Sequence, residues 1–469
     1  MSSNWSVKKL GDLVTFLSGG TPSKSNKDYW NGEIPWISAS SMQSTRYHDS
    51  DLRVTSLGST NGTRLVPAET VLLLVRGGAL HNKIPVGITT REVTFNQDVK
   101  ALVPKSEDIT PYYLLAWLIS SRELLLGKVE NTGIGAGKLD TKILQDLDVP
   151  VPPKAELLRL ELFSKALDDK IILNQNINHT LEQMAQALFK SWFVDFEPVK
   201  AKMAVLEAGG SQEDATLATM TAISGKDVNA LAIFEREHPA QYAELKATAE
   251  LFPSAMQDSE LGAIPKGWRG ASISEMGKVT CGKTPSKKEP EYYGSDVPFI
   301  KIPDMHGQLF VLKTNEYLSE VGSKSQLKKL VPANSICVSC IATIGVVSIT
   351  NEPSHTNQQI NSVTPHKSSL LYYLYFCMLG LKDHLHALGS AGSATLNVNT
   401  STFSGIKIAQ PDAKVLELFH AKCTHLFNEI KSLSVQTESL TQLRDTLLPK
   451  LLSGEITLPE AEQIISEEA

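Results

Sequence analysis

At 469 residues, 42% apolar and 20% charged, the chain exceeds one ordinary domain and has the composition of a soluble globular protein. No run of about 18 apolar residues occurs, which excludes a spanning helix, and "MSSNWSVKKL" lacks the apolar core of a signal peptide. Five scattered cysteines exclude a disulfide framework, so a reducing cytoplasm is the expected compartment.

The net charge of −6 is uneven. Residues 197–262 hold eleven acidic and five basic side chains, and residues 454–469 hold five glutamates with no lysine or arginine. The remainder is mildly basic, at +5, which permits an anionic partner without requiring one.

In chain order, residues 1–152 read as short strands separated by Gly, Pro, Asn and Ser: "IPWIS", "TVLLLV", "VGIT" and "VKALV". A short helix falls near 111–126. Residues 153–198 follow a Pro-Pro stop and carry a long helical pattern. Residues 199–262 form an acidic, partly helical connector. Residues 263–411 return to short strands, with a helix near 369–386. Residues 412–453 carry a second long helical pattern, and 454–469 form an acidic tail.

The chain is written twice. At a shift of 263, Thr21-Pro22-Ser23-Lys24 falls on Thr284-Pro285-Ser286-Lys287, Tyr29 on Tyr292, Pro35 on Pro298, Trp36 on Phe299 and Met42 on Met305. "LVPAETVLLLV" answers "LVPANSICVSC", "FNQDV" answers "TNQQI", and "PYYLLAWL" answers "LYYLYFCM". The expected fold is therefore α+β: two pseudo-repeated mixed α/β domains separated by two long helices.

Those helices share a heptad stripe. It reads Leu160, Leu167, Asn174, Leu181, Leu188 in the first and Phe419, Leu426, Leu433, Leu440, Leu447 in the second. The position three residues on is patchier: Phe163, Ile177 and Met184 are apolar, Lys170 is not. A helix of roughly 55 Å cannot bury one stripe against a small domain, so the two are expected to pair as an antiparallel coiled coil. Asn174 either sets the register from inside the seam or lies hydrated at its edge.

Motifs for chemistry fail against the repeat. "GKVTCGKT" at 277–284 fits a phosphate loop, but its counterpart has Val14, Gly19, Gly20 and Thr21, and Pro285 follows where a helix should open. Cys337-x-x-Cys340 faces Leu72 and Val75, which suits strand packing better than metal or redox work. "TGIGAGK" at 132–138 lacks a strand–helix frame, the eleven histidines form no ligand cluster, and Asp195 with Glu197 has no further acid or nucleophile beside it.

Four stretches carry a family resemblance: "LSGGTPSK" with "CGKTPSK", "EIPWISASSM" with "DVPFIKIPDM", "LFKSWFVDFEPV" closing the first long helix, and "DSELGAIPKGW" opening the second domain. With the order of segments, they make nearly the whole chain resemble the specificity subunit of type I restriction–modification enzymes. "PPKAELLRL" departs from the family in lacking a Gln and an Ile shortly after Pro-Pro. The resemblance implies two target-recognition domains, each reading half of a split site in double-stranded DNA. It implies antiparallel helices that dock two modification (methyltransferase) subunits, with restriction (motor and nuclease) subunits joining that core. It implies no catalytic residue, metal or cofactor in this chain; S-adenosylmethionine, ATP and Mg belong to the partners.

Polar loop residues suited to phosphate and base-edge contacts are the candidate DNA-binding set. In the first copy they are Thr21, Ser23, Lys24, Lys27, Tyr29, Arg76, Lys83, Asn96 and Gln97. In the second they are Lys283, Thr284, Ser286, Lys287, Lys288, Lys301, Asn357 and Gln358. Thr-Pro-Ser-Lys, being common to both, suits a turn or a phosphate grip rather than sequence reading, and Asn-Gln also suits a turn. Two rivals remain: an enzyme (a nucleotide-driven motor or a methyltransferase, for which no Asn/Asp-Pro-Pro-aromatic tetrapeptide is found), and a coiled-coil adaptor with two protein-binding modules and no DNA specificity.

Overall fold

A computed structural model describes residues 5–132, 135–390 and 396–468. It divides into two compact units, Met1–Asn176 with Ser434–Ala469, and Ile177–Leu433. The expected domain boundaries followed the ends of the long helices; the compact units instead divide within them, because each half of a long helix buries its stripe in a different core.

The first unit holds a five-stranded sheet in the order Val14–Ser18, Val99–Pro104, Val71–Leu74, Val86–Thr89, Arg46–Tyr47. Only the last pairing is parallel. The second unit repeats it strand for strand: Gly277–Cys281, Ile360–Pro365, Ile336–Ser339, Val347–Thr350, Phe310–Val311, again parallel only at the last pair. The central strands "VLLL" and "ICVS" are buried on both faces, so an apolar run without alternation forms each. Cys337 and Cys340 belong to that packed core, and burial pushes both thiols up to about 11.

The repeat extends to strained backbone. Glu69 and Asn334, each after Pro-Ala, sit in the left-handed region at φ 61° and 62°. That conformation costs a non-glycine residue about 1–2 kcal/mol. Hydroxyls over-determine both turns. Thr89 and Thr350 donate to the Pro67 and Pro332 carbonyls at 2.8 Å, and accept from the Thr70 and Ser335 amides at 2.9 Å. Helices Pro111–Ser120 and Leu371–Gly380 cover the sheets, and a buried tyrosine ties each to the strand before a long helix. Tyr113 donates to the Pro150 carbonyl at 2.6 Å, and Tyr373 does the same to Ala409.

The long helices are α1 (Lys154–Phe193) and α2 (Ala413–Ser453), of 40 and 41 residues. They run antiparallel: in the first unit Asn174 meets Gln436, while Asp168, six residues earlier, meets Arg444. Leu160 and Leu447 are buried in the first core and Phe419 in the second, and Leu167 is buried as well. Leu181, Leu188, Leu426, Leu433 and Leu440 are half-buried. Asn174 is fully buried, and its amide donates to Gln436 at 2.8 Å.

The second stripe corrects the sequence reading. It lies four residues on from the first, not three: Ser164, Ile171, Asn178, Ala185 and Trp192 in α1, and Cys423, Ile430, Thr437, Arg444 and Leu451 in α2. Lys170 and Met184, on the three-residue offset, are exposed. The leucine stripe is thus the second of the two core positions in each heptad, and its partner stripe is too polar to register as apolar.

In the second unit the end of α1 enters an aromatic cluster. Phe193 lies 5.0 Å from the Phe419 ring and 5.8 Å from Trp268, and Trp192 lies 5.1 Å from Phe252. The two most distinctive stretches of the sequence therefore touch. Trp268 is buried by the hairpin Met256–Ser259 and Gly262–Pro265, and its carbonyl accepts from Gln257 at 2.7 Å. The connector folds as four helices, Glu197–Glu207, Gln212–Ser224, Val228–Glu237 and Pro239–Glu250, around Met220, Leu231 and Ala249. Buried Lys202 donates to the Ala249 and Phe252 carbonyls at 3.0 and 2.7 Å, closing the end of the last helix. The acidic tail also folds: α3 (Leu458–Glu468) buries Ala461 and lays Ile464 and Ile465 on the first core.

In the first unit, Asp168 is buried between Arg46 and Arg444 and accepts from Thr45 at 2.8 and 2.9 Å. Asp168→Ala removes the buried carboxylate between Arg46 and Arg444, leaving them the more exposed Asp169 and Asp445, and is expected to destabilise the chain by about 3 kcal/mol, whereas the triple change R46M/D168L/R444M recovers most of that loss. Chemical denaturation of the two variants checks the ordering.

Candidate nucleic-acid interface

The candidate loops hang from the edges of the repeated sheets. Each begins at a glycine that only glycine can fill. A Cβ on Gly19 would lie 2.2 Å from the Phe95 carbonyl oxygen, and one on Gly282 2.1 Å from that of Asn357. The phosphate-loop match is thereby explained in other terms. Residues Gly277–Cys281 are a strand, and the Gly282 and Lys283 amides already donate to Ile360 and Thr356, so they do not form an anion cradle. "TGIGAGK" is likewise a hairpin turn between Glu130–Asn131 and Gly137–Lys138; its residues 133 and 134 lie outside the described ones.

The two copies fasten this loop alike. Thr21 donates to Gln97 at 2.7 Å, and Thr284 to Gln358 at 2.5 Å. The Trp30 indole donates to the Ser23 carbonyl at 3.1 Å; the Tyr293 hydroxyl, at the corresponding place, donates to Pro285 at 3.0 Å. Asn96 and Asn357 are buried, and each side chain closes its own turn by accepting from the amide two residues on, at 3.1 Å. Thr21, Thr284, Gln97, Gln358, Asn96 and Asn357 therefore shape the loops from within.

What projects from that frame is basic. Lys24, Lys27, Lys283, Lys287 and Lys288 are exposed, and they form no ion pair among the described residues. Ser23 and Ser286 are exposed beside them, with Ser23 bonded to Ser25 at 2.8 Å, and Tyr29 is half-buried. Lys301 is differently placed: it pairs with Glu316 and lies over the Phe299 ring at 5.3 Å. Arg76 is exposed on a separate three-stranded ribbon, paired with Lys138 in register. Lys83 stands on another loop, donating to Gln43 at 3.2 Å. The structure thus gathers residues 21–29 with 96–97, and 283–288 with 357–358, and places Arg76, Lys83 and Lys301 on other elements.

Sequence reasoning missed Arg46, Arg122, Asp168 and Arg444, which meet beside the first unit's sheet. The available signal was a charge at a core position of a heptad, as at Arg444 in "TQLRDTLLPKLL". Among the described residues no group of three or more His, Cys, Asp or Glu could hold a metal ion.

The family described as type I restriction modification DNA specificity domain matches residues 2–183 and 265–432. The HindI specificity subunit of Haemophilus influenzae is 45% identical over 362 residues, 75% of this chain and 79% of that one. The MjaIX specificity subunit of Methanocaldococcus jannaschii is 24% identical over 97% of this chain and 94% of its own length. The crystal structure of a type I restriction–modification S subunit from M. genitalium aligns over 96% of both chains at 13% identity, with a TM-score of 0.48.

His355, on the strand that leads to Asn357, is fully buried with Ser323 at 2.9 Å. Burial pushes its imidazole down to about 4. The unfolded chain, with an ordinary value near 6.5, binds the proton first. The contribution of neutral His355 is therefore complete above about pH 6.5 and is lost as the pH falls toward 4, by up to about 3 kcal/mol. His355→Gln is expected to show a smaller loss of stability between pH 7.5 and 4.5 than the parent. Urea unfolding followed by tryptophan fluorescence, at both pH values, measures the difference.

Proposed function

The chain belongs to the family of specificity subunits of type I restriction–modification enzymes, and from that premise we propose that each α/β unit reads one half of a split site in double-stranded DNA. The observation that carries this reading is the strand-for-strand repetition of one sheet under loops that differ. Two readers of common descent and unlike loops recognise two unlike short sequences. Ser38-Ala39-Ser40-Ser41 in one copy stands where Lys301-Ile302-Pro303-Asp304 stands in the other, and Arg76-Gly77 faces an Ile-Ala-Thr stretch. Base discrimination belongs to such divergent positions. The common Thr-Pro-Ser-Lys loops, fixed from within and edged with lysine, suit phosphate.

The rest follows from the division of labour in such enzymes. Two modification subunits dock along α1 and α2, and restriction subunits join them. S-adenosylmethionine, ATP and Mg serve those partners, and this chain supplies recognition without catalysis. No helix among the described residues is long and apolar enough to cross a membrane, and we place the complex in the cytoplasm with the DNA it reads.

Exchanging residues 1–150 with those of a relative of different specificity is expected to change one half of the methylated sequence and leave the other half intact. Mapping methylated adenines in cells carrying the complete system reads this directly, and a change in both halves rejects the assignment. In the assembled complex, K283A/K287A/K288A is expected to weaken binding to all duplexes alike and to flatten the log–log salt dependence by about 2–3. An unchanged slope removes these lysines from the phosphate contacts.

A further inference from the structure

In the first unit a cavity of about 330 Å³ lies against α1 and α2, with Lys83, Arg122, Asp168, Gln175 and Arg444 among its lining. Its charges do not balance. Asp168 is already engaged by Thr45, Arg46 and Arg444. Arg444 also holds Asp445 at 2.8 Å. Arg122 has no such partner. Its Nε is buried without a hydrogen bond, and Arg122 forms no ion pair among the described residues. Burial and, after it, the like charge of Arg444 disfavour its ionised form, and the carboxylates of Asp445 and Asp168, both already held by Arg444, offset part of that. Arginine does not escape by losing its proton, and a largely desolvated guanidinium with no direct partner is costly. Lys83, on the cavity rim, adds a second cation, whose side-chain partner among the described residues is the Gln43 amide oxygen.

The second unit shows that the fold does not need these charges. Arg46 pairs with Ile88 in the same register in which Phe310 pairs with Ile349. At the shift of 259 that relates the long helices, Asp168 corresponds to Phe427 and Arg444 to Ala185. Arg122, two residues beyond its covering helix, corresponds to Lys382, which is exposed. That junction is closed by rings: Phe427 lies 4.2 Å from Tyr372 and 6.2 Å from Phe310. One duplicate packs the site with aromatic side chains. The other keeps a polar cavity and an unpaired arginine.

We propose that the cavity is a phosphate-binding site, with the Arg122 guanidinium as its central ligand and Lys83 and Arg444 beside it. A guanidinium fork matches two oxygens of a tetrahedral anion, and the volume admits a phosphate or a small phosphomonoester. The phosphate is either free or part of a DNA backbone; the chemistry is common to both.

The test uses the full chain. Inorganic phosphate, titrated at constant ionic strength, is expected to raise the melting temperature of the parent. Arg122→Met, which removes the unpaired cation and keeps the bulk, is expected to melt no lower than the parent without phosphate and to lose the phosphate response. Calorimetry is expected to show a loss in affinity of about tenfold or more, with K83A weakening it less. Arg122→Lys keeps the charge without the fork and is expected to fall between. If phosphate stabilises neither protein, or stabilises Arg122→Met as much as the parent, the site is rejected. A short duplex lacking the target then separates the sources: competition with phosphate identifies a backbone contact, and independent binding identifies a free ligand.

Discussion

Everything in this chain depends on the pairing of two helices that neither unit could support alone. At 1.5 Å per residue, α1 and α2 each extend roughly 60 Å. Neither has a stripe that one small domain could cover. Each therefore gives one half to each unit, and the seam joins residues some 260 positions apart in sequence, as at Asn174 and Gln436. A contact of such sequence separation costs loop entropy before it returns any stability. Buried apolar area offsets that cost where Leu157, Leu160 and Leu447 meet the first core, and where Phe193 meets Phe419 in the second.

Given that seam, duplication explains both what the units have in common and what they do not. The sheet order, the left-handed residue after Pro-Ala, the threonine that braces it and the tyrosine that anchors the covering helix all occur twice. These features fix the frame. The place where the sheet meets the long helices is free to change, and there the units part. One buries Asp168 among arginines; the other buries Phe427 among rings. A buried ionic cluster and a buried aromatic cluster are poor substitutes for each other, since either half placed in the other's position would leave charge without a partner. The divergence gives each half-seam its own chemistry.

The connector and the tail show how acidic segments can still be structural. Lys202 reaches across the connector to the end of its last helix, and the hairpin after it delivers Trp268 to the aromatic cluster at the end of α1. Glu455, Glu460, Glu462 and Glu467 of the tail are exposed while Ala461, Ile464 and Ile465 face the first core, and the Glu460 carboxylate accepts from the Thr457 amide at 2.7 Å. Net charge described the surface of these segments, not their order.

The sequence by itself determined the duplication, the α/β character of each copy, the two long helices, the leucine stripe and the failure of the phosphate loop. All of these are local patterns or comparisons of one stretch with another. The positions of the lysine-bearing loops could be read too, because turn residues announce themselves. Only the tertiary structure decided the second stripe, since Ser164, Asn178, Thr437 and Arg444 are polar and a search for apolar residues passes over them. It alone showed that Asn96 and Asn357 are turned inward, and that α3 folds onto a core. It alone brought Arg46, Arg122, Asp168 and Arg444 together from four separate elements. Their proximity arises from packing among distant segments, and no periodicity within any one of them records it.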